Sequence, residues 1–406
     1  MGISKLFFPR INGESKISLL IWNMLLYWLV VDSITGYFLN SGILLPISQA
    51  YKLFLLILLF SQIIRQGSGL GLSFIIIYII IYSIHIIIIN EPISESLIHL
   101  SKILLTITLY IYFRNTIPTY PKASYIKRMD KILSISFIIV SINICSGIIG
   151  IGFHTYPDEK IGFKGFFYAG NEMGGLLAVL IPYILYKAFK TRKLSSYICT
   201  AIYCIILSIL LATKSVIIIS LVTAFFIPWL YGTKKIRFYI ILTLILLAII
   251  SIPYIILLID SQEFDLFVRL TYSYNKGGLS SLIFSSRDEF WINKSTEFFN
   301  SNTLIQILGL GGNRTVEMDQ FDTLLNYGYL GVVLIYSFYI YIFYLTWKKR
   351  NYNSYSRTVT YSNIMLLGMS IIAGHILFSS MAGMYISLNN NISLIFNKKN
   401  NFFSII

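Results

Sequence analysis

The sequence predicts an all-α polytopic membrane protein of about 12 transmembrane helices with one long extracytoplasmic loop. Of its 406 residues, 56% are hydrophobic and only 12% are charged, whereas an ordinary soluble domain carries about 25% charged residues. The mean hydropathy is +0.74, and apolar runs long enough to cross a bilayer recur from residue 18 to residue 397. A water-soluble globular fold is therefore excluded, and we expect residues 1–406 to form one integral membrane domain.

Each membrane span needs about 20 helical residues to cross a hydrocarbon core of roughly 30 Å. The apolar segments give about 11 or 12 such spans, and the last of them is the weakest. They lie at about 18–38, 43–64, 70–89, 97–113, 132–152, 173–190, 196–212, 216–232, 237–258, 325–346, 359–378 and 380–397.

The positions of the charges predict the orientation. With a cytoplasmic amino terminus, the inner segments hold roughly two thirds of the 32 basic residues, but only Glu14 and Asp130 among the 17 acidic residues, as the positive-inside rule requires. The net charge of +15 then lies in short loops, which cannot build a basic face for nucleic acid.

The same orientation predicts that the hydrophilic segments 259–324 and 153–172 lie outside the cytoplasm. Loops of this length are usually functional.

Isolated polar residues inside the spans have structural explanations. Asp32, Lys52 and Lys102 lie near the outer ends of their spans, where long side chains can reach the interface. His85 lies among isoleucines and is typical of a core histidine. The cysteines have neither metal-site nor disulfide spacing, and we expect them to be small core residues: Cys145, Cys199 and Cys204.

The long outer loop contains a candidate anion site. Ser286 and Glu289 have the spacing of a helix capping box, which predicts a short amphipathic helix with Arg287 in its first turn. A helix amino terminus and a guanidinium together can bind an anion. The alternative is a surface helix whose Arg287 pairs with an acidic neighbour. Four aromatic side chains of this helix should face the bilayer surface or the protein: Phe290, Trp291, Phe298 and Phe299.

A glycine-rich segment follows in the same loop. Gly309, Gly311 and Gly312 precede Arg314, so backbone N–H groups and a second guanidinium could face a phosphate together. A plain turn would have the same sequence.

Three carboxylates precede the next span. Glu317, Asp319 and Asp322 lie within six residues, and at 100° per residue Asp319, Asp322 and Asn326 share one helical face. A polar stripe that enters the membrane must face a protein-lined cavity. Magnesium or manganese could bind such carboxylates. An acidic collar without chemistry is a further alternative. Two arginines could instead neutralise a diphosphate without a metal ion, which would leave a carboxylate as a general base.

These segments together resemble bacterial O-antigen polymerases, which belong to the O-antigen ligase and polymerase superfamily of membrane glycosyltransferases. The most specific of the shared segments is the one around Glu317. The motifs are GFKGFFYAGNEMG at 162–174, ATKS at 212–215, SSRDEFW at 285–291, LGLGGN at 308–313, VEMDQFDTLLNYGYLG at 316–331 and AGHILFSSMAG at 373–383.

The resemblance implies an architecture like that of the GT-C glycosyltransferases and an enzyme without metal or cofactor. Such an enzyme joins oligosaccharide repeat units carried on undecaprenyl diphosphate into O-antigen or a related surface polysaccharide. It works at the outer face of the bacterial inner membrane. The implied partners are these lipid-linked oligosaccharides, membrane lipid, and a chain-length regulator and a flippase of the same pathway, without nucleic acid.

The chemistry expected from the residues is a single displacement with inversion at the anomeric carbon. Arg287 and Arg314 would stabilise the leaving diphosphate. Glu317, or failing it Asp319, would accept the proton of the attacking hydroxyl. The matched motifs and the outer carboxylates give further candidate substrate-binding residues: Asp322, Lys164, Asn171, Glu172, Lys214 and His375.

Two alternatives remain at this point. In the related ligases a His–Asn pair tends to occupy the place of Glu317 and Met318, so the chain resembles the polymerases more than the ligases. A flippase of lipid-linked oligosaccharide would also suit about 12 spans, but transporters tend to place ionisable residues near the bilayer midplane. Here those residues gather at one membrane face.

Overall fold

The structure, a computed structural model, is built mainly of helices. It describes the scattered residues 271–272, 274–275, 277–278, 280–281 and 284 and the ranges 8–11, 13–89, 93–117, 121–157, 160–191, 193–239, 242–243, 287–311, 315–374 and 376–395.

Eight helices and one β-hairpin form the first part of the described chain. The helices α1 to α8 are Lys16–Asn40, Ile47–Arg65, Gly69–Ile89, Ile93–Thr116, Lys122–Ile148, Gly170–Lys190, Leu194–Leu211 and Lys214–Tyr231. Between α5 and α6, strands β1 (Phe153–Tyr156) and β2 (Ile161–Gly165) pair antiparallel.

Five further helices form the last part of the described chain. The short helices α9 and α10 are Arg287–Phe299 and Thr303–Leu308, and the longer helices α11, α12 and α13 are Asp319–Lys348, Ser354–Ile372 and Ser380–Ile395. The predicted amphipathic helix is thus present as α9. Its predicted cap, Ser286, lies outside the described residues.

Within the described residues, nine helices are long and apolar enough to cross a membrane, namely α1 to α8 and α11. The chain is therefore a multi-pass, all-α membrane protein. Helices α12 and α13 have 19 and 16 residues, match the predicted spans 359–378 and 380–397, and are not among the nine. The predicted span 237–258 lies mostly outside the described residues, so the total of about 12 stays a prediction.

Helix α13 lies at the centre of the bundle. All of its residues are buried, and it packs against α4 and α6. Its polar residues face other helices: Asn390 exchanges hydrogen bonds with Asn363 of α12, and Asn389 accepts one from the Tyr355 hydroxyl. Polar side chains that bond across helices hold membrane bundles together, because lipid offers them no partner.

One end of the bundle is rich in lysine and arginine, and we call it the basic end. At this end Arg128 of α5 binds Glu14, which precedes α1, and Lys187 of α6 binds Asp130. The helix ends that gather here carry several further cations: Arg114, Lys190, Lys348 and Arg357.

The opposite end carries the β-hairpin and the short helices α9 and α10. The hairpin replaces part of the predicted loop 153–172 and spans two helix ends: Phe166 N–H donates to Asn143 Oδ1 of α5, and Thr155 donates to the Leu211 carbonyl of α7. The end opposite the basic end is therefore structured beyond simple loops.

Helix α11 is broken at Gly328, where φ is 62° and ψ is −167°. A Cβ there would lie 2.4 Å from the Ile307 oxygen, and a Cβ on Gly309 would lie 2.3 Å from the Asn326 oxygen. Only glycine permits this approach and this backbone conformation. Just before the break, the Leu325 carbonyl accepts a hydrogen bond of 2.7 Å from Leu310 N–H. The segment after α10 is thereby fixed against the amino-terminal half of α11.

Candidate functional site

The centre of the candidate site is an ion pair between Arg287 and Glu317. Arg287 is the first residue of α9, and its Nη2 lies 2.8 Å from Glu317 Oε2, while Nε donates to the same oxygen at 3.3 Å. Arg287 Nη1 also donates to the Ile372 carbonyl at 2.8 Å. The arginine side chain is 16% exposed and the glutamate side chain 51% exposed. The pair is thus accessible from one side, and the carboxylate is its exposed member.

Glu317 has an unusual backbone conformation. Its φ is 61°, a left-handed value that costs a residue with a Cβ about 1–2 kcal/mol. Its neighbours Val316 and Met318 are buried, so the side chain between them points outward. Backbone strain of this kind persists only where the surroundings impose it, and it clusters at functional sites.

Asp322 imposes this conformation. Its Oδ1 accepts the Val316 N–H at 2.5 Å and its Oδ2 accepts the Met318 N–H at 3.2 Å. One buried carboxylate therefore holds the residues on both sides of Glu317. Gly374 packs on the same backbone, because a Cβ there would lie 2.7 Å from Glu317 Cα.

Asp319 plays a similar role for the segment between α12 and α13. Its Oδ2 accepts the N–H groups of Ile376 at 3.0 Å and Leu377 at 2.7 Å. Ile376 and Leu377 are buried, so this irregular backbone needs partners. Asp319, Asp322 and Asn326 are all buried in protein, in agreement with the polar stripe expected from their spacing. Among the described residues, the hydrogen bonds that the two aspartate side chains accept come from backbone N–H groups.

A small aromatic cluster fixes α9 above α11. Phe298 is fully buried together with Val316, Met318 and Leu325, and the Trp291 ring lies 4.0 Å from the Phe321 ring. The other two aromatic residues of α9 are exposed, Phe290 by 56% and Phe299 by 53%. The apolar face of α9 is thus divided between the protein and its surroundings.

Lys164 lies at the end of β2. Its Nζ donates to the Tyr168 carbonyl at 2.7 Å and lies 5.8 Å from the Tyr168 ring. Burial lowers the pKa of Lys164, since it disfavours the charged ammonium. Among the contacts of the described residues, none joins Lys164 to Arg287 or Glu317.

The remaining candidates of the hairpin region lie at helix starts. Asn171 and Glu172 are in the first turn of α6, and Lys214 is the first residue of α8, after a turn in which Ala212 is left-handed with φ 57°. Glu172 Oε2 accepts a hydrogen bond of 3.1 Å from the Ser379 hydroxyl. Two other candidates, Arg314 and His375, lie outside the described residues, as does Gly312.

The sequence did not indicate the partners of Glu172. Its Oε1 lies 4.0 Å from Lys102 Nζ, and Ser379 is followed by Ser380, whose hydroxyl accepts a hydrogen bond from Lys52. From the sequence, Lys52 and Lys102 are explained as long side chains near the ends of spans. Their depth in the spans is the signal that could have indicated these contacts, since a lysine inside a span needs a partner.

Within the described residues, no group of three His, Cys, Asp or Glu side chains is placed to hold a metal ion. Glu317 faces a guanidinium, while Asp319 and Asp322 face backbone N–H groups.

Compared with known proteins, the chain matches no family model, no curated protein and no solved structure.

Proposed function

We propose that the chain is a polymerase that joins oligosaccharide repeat units carried on undecaprenyl diphosphate into O-antigen or a related surface polysaccharide. The observation that carries the proposal is the Arg287–Glu317 pair. A fixed guanidinium and a half-exposed, strained carboxylate lie together at the end of the bundle opposite the basic end. With the basic end in the cytoplasm, the pair faces the outer side of a bacterial inner membrane.

The two side chains fit the two demands of the reaction. When the anomeric carbon leaves its diphosphate, negative charge grows on the phosphate oxygens, and a fixed cation stabilises it. Arg287 supplies that cation at the amino end of α9, where backbone N–H groups also favour an anion. The attacking sugar hydroxyl loses its proton as the new bond forms, and Glu317 accepts this proton. Attack opposite to the diphosphate inverts the anomeric centre.

The hydrogen bonds and the exposure of the three carboxylates support this division of roles. Asp322 and Asp319 are buried and accept backbone N–H groups, whereas half of the Glu317 side chain is exposed. Glu317 is therefore the carboxylate that a substrate hydroxyl can reach. As the donor binds, its diphosphate would replace the Glu317 carboxylate on Arg287, which would leave Glu317 free to accept the proton.

The test is synthesis of a glycan ladder by purified protein from lipid-linked repeat units. We expect Arg287→Ala to lower the rate by about 10²–10³-fold and Glu317→Gln by about 10²–10⁴-fold. Glu297→Gln, on the exposed side of α9, is the control and should leave the ladder unchanged. Full ladders from both site variants would refute the proposal.

A cellular experiment separates a polymerase from a flippase. In a deletion strain, loss of a polymerase leaves carriers that bear single repeat units on the outer face of the membrane. Loss of a flippase would leave them on the cytoplasmic face, and that result would contradict the proposal.

A further inference from the structure

Four ionisable side chains from four helices meet at the amino end of α13, away from the Arg287–Glu317 pair. They are Asp32 of α1, Lys52 of α2, Lys102 of α4 and Glu172 of α6, which we call the four-helix cluster. Asp32 lies eight residues before the last residue of α1, or about 12 Å below that helix end. Groups placed this deep in a membrane protein are costly and mark functional sites by default.

The cluster is joined through two adjacent serines at the start of α13. Lys52 Nζ lies 2.7 Å from Asp32 Oδ1 and donates to the Ser380 hydroxyl at 3.1 Å. Ser379 donates to Glu172 at 3.1 Å, and Glu172 lies 4.0 Å from Lys102 Nζ. The side chains of Lys52, Glu172 and Lys102 are 17%, 20% and 31% exposed. The three therefore form the accessible rim of the cluster.

Asp32 forms its floor. The residue is 7% exposed, and its Oδ1 forms an ion pair with Lys52 and accepts a hydrogen bond from the Ser48 hydroxyl. Its Oδ2 is buried and accepts no hydrogen bond from the residues that the structure describes. A buried carboxylate oxygen without a donor is costly. The floor of the cluster thus has an acceptor that lacks a donor among the described residues.

The charges of the cluster favour one chemical class of ligand. Each lysine faces a carboxylate, so the formal charges cancel and leave little attraction for a phosphate. Hydrogen-bond donors and hydrogen-bond acceptors alternate along the cluster, in the order Lys102, Glu172, Ser379, Ser380 and Lys52. A neutral ligand with several hydroxyl groups satisfies such a set, since each hydroxyl both donates and accepts.

We propose that the four-helix cluster binds sugar hydroxyls of the acceptor, the repeat unit whose hydroxyl attacks the donor. This inference rests on the proposed function. The two sites are joined by one stretch of chain: Gly374 packs on Glu317, and Ser379 binds Glu172. The six residues from Gly374 to Ser379 are separated by five Cα–Cα steps, which span at most about 18 Å. Asp319 holds the middle of this segment, so the spacing between the two sites is fixed.

The experiment measures the KM for the glycosyl donor and the KM for the acceptor separately. The acceptor probe is a lipid-linked repeat unit in which a methylene group replaces the bridging anomeric oxygen. This phosphonate has no leaving diphosphate at its anomeric carbon, so its hydroxyl can attack a donor but it cannot itself act as the glycosyl donor. The donor probe is a repeat unit whose attacking hydroxyl is methylated, which can donate but cannot accept. We expect Lys102→Met and Glu172→Gln each to raise the KM for the acceptor by about tenfold or more. The KM for the donor should change less than about twofold.

The matched control is Lys187→Met at the basic end. The Lys187–Asp130 pair has nearly the same exposure, 33% and 17%, as the Lys102–Glu172 pair, so a general effect of losing such a pair would appear in both variants. Lys187→Met should leave both KM values unchanged. Glu172→Gln retains the shape of the side chain and keeps the test valid if Lys102→Met does not fold.

The outcomes separate this inference from the proposed function. If the wild type joins the two probes but neither variant changes the KM for the acceptor, the acceptor site alone is overturned. An equal rise in both KM values would also overturn it. Failure of the wild type to join the probes would overturn the proposed function. In that case, binding of the acceptor probe to wild-type protein in nanodiscs, weakened by Glu172→Gln, would still support a saccharide site. Competition by inorganic diphosphate at this site would contradict a saccharide site.

Discussion

Two Arg–Glu pairs lie at opposite ends of the bundle, and their surroundings differ. At the basic end, Arg128 binds both oxygens of Glu14 at 2.6 and 2.8 Å, and the two side chains are 5% and 0% exposed. At the other end, Arg287 binds one oxygen of Glu317, and the glutamate is 51% exposed. The same two residue types are enclosed at one end and accessible at the other.

Further contacts surround the enclosed pair. Arg128 Nη2 also donates to the Pro9 carbonyl at 2.6 Å, and its guanidinium lies 5.4 Å from the Phe8 ring and 5.5 Å from the Trp22 ring. Glu14 Oε2 also accepts the Ile11 N–H. Both side chains are thus enclosed by the described residues around them. The comparison teaches that an Arg–Glu pair is structural when both members are enclosed, and available for chemistry when the carboxylate retains an open side.

The largest expected effect is on the enclosed pair. Arg128→Ala leaves the buried Glu14 carboxylate without its cation, and breaking a buried ion pair in this way costs about 3–5 kcal/mol. We expect loss of folded protein, measured as lower yield and a lower Tm in detergent. An Arg128→Ala variant with the Tm of the wild type would remove the distinction between the two pairs.

The accessible pair should respond in the opposite manner. Arg287→Ala removes a side chain whose partner can turn toward solvent, so the Tm should stay within a few degrees of the wild-type value, because exposed pairs contribute about 0–1 kcal/mol. Arg287→Lys should retain part of the polymerisation rate, since a point charge replaces the planar guanidinium. The rates of both variants are compared at equal amounts of folded protein. An Arg287→Ala variant that fails to fold would show a structural role.

Asp322 offers a smaller and more selective perturbation. Asp322→Asn replaces an acceptor by an amide donor opposite the N–H group of Val316 or Met318, which should release Glu317 from its strained conformation. We expect kcat to fall by about tenfold to a hundredfold, because misplaced catalytic groups lose orientation, while the KM for the donor changes little. A fall in donor affinity without a change in kcat would instead make Asp322 a binding residue.

The smallest change adds one methyl group beside Glu317. In Gly374→Ala the new Cβ would lie 2.5 Å from the Glu317 carbonyl carbon, so the backbone of one of the two must shift. We expect about a tenfold lower rate. Gly368→Ala is the control, because a Cβ there meets no atom within 4 Å. Equal rates for the two alanine variants would show that the contact does not matter.

Much of the fold follows from the sequence because apolar length determines spans. The predicted segments 18–38 and 43–64 match α1 and α2 within a few residues. The β-hairpin was not predicted, since its strands are short and lie in a hydrophilic segment. The break at Gly328 was not predicted either. It depends on the approach of Gly309, which is a tertiary contact that no local pattern in the sequence shows.

Part of the candidate site can likewise be predicted from the sequence, and part of it cannot. Glu317 and Arg287 stand out because charged groups beside apolar spans need an explanation, and the helical spacing of Asp319 and Asp322 predicts their burial. The four-helix cluster could not be predicted. Lys52 and its partner Ser380 are 328 residues apart, so each ionisable residue looks isolated in the sequence.

Chemical rescue of Glu317→Gly tests the central claim most directly. Glycine adopts a positive φ without strain, so this variant removes the carboxylate and leaves the backbone conformation. If Glu317 accepts the proton, the variant should lose about 10²-fold or more of its rate, and added formate should restore a measurable share by replacing the missing base. Formate should restore nothing to Arg287→Ala. A Glu317→Gly variant that polymerises at the wild-type rate without formate would contradict the account.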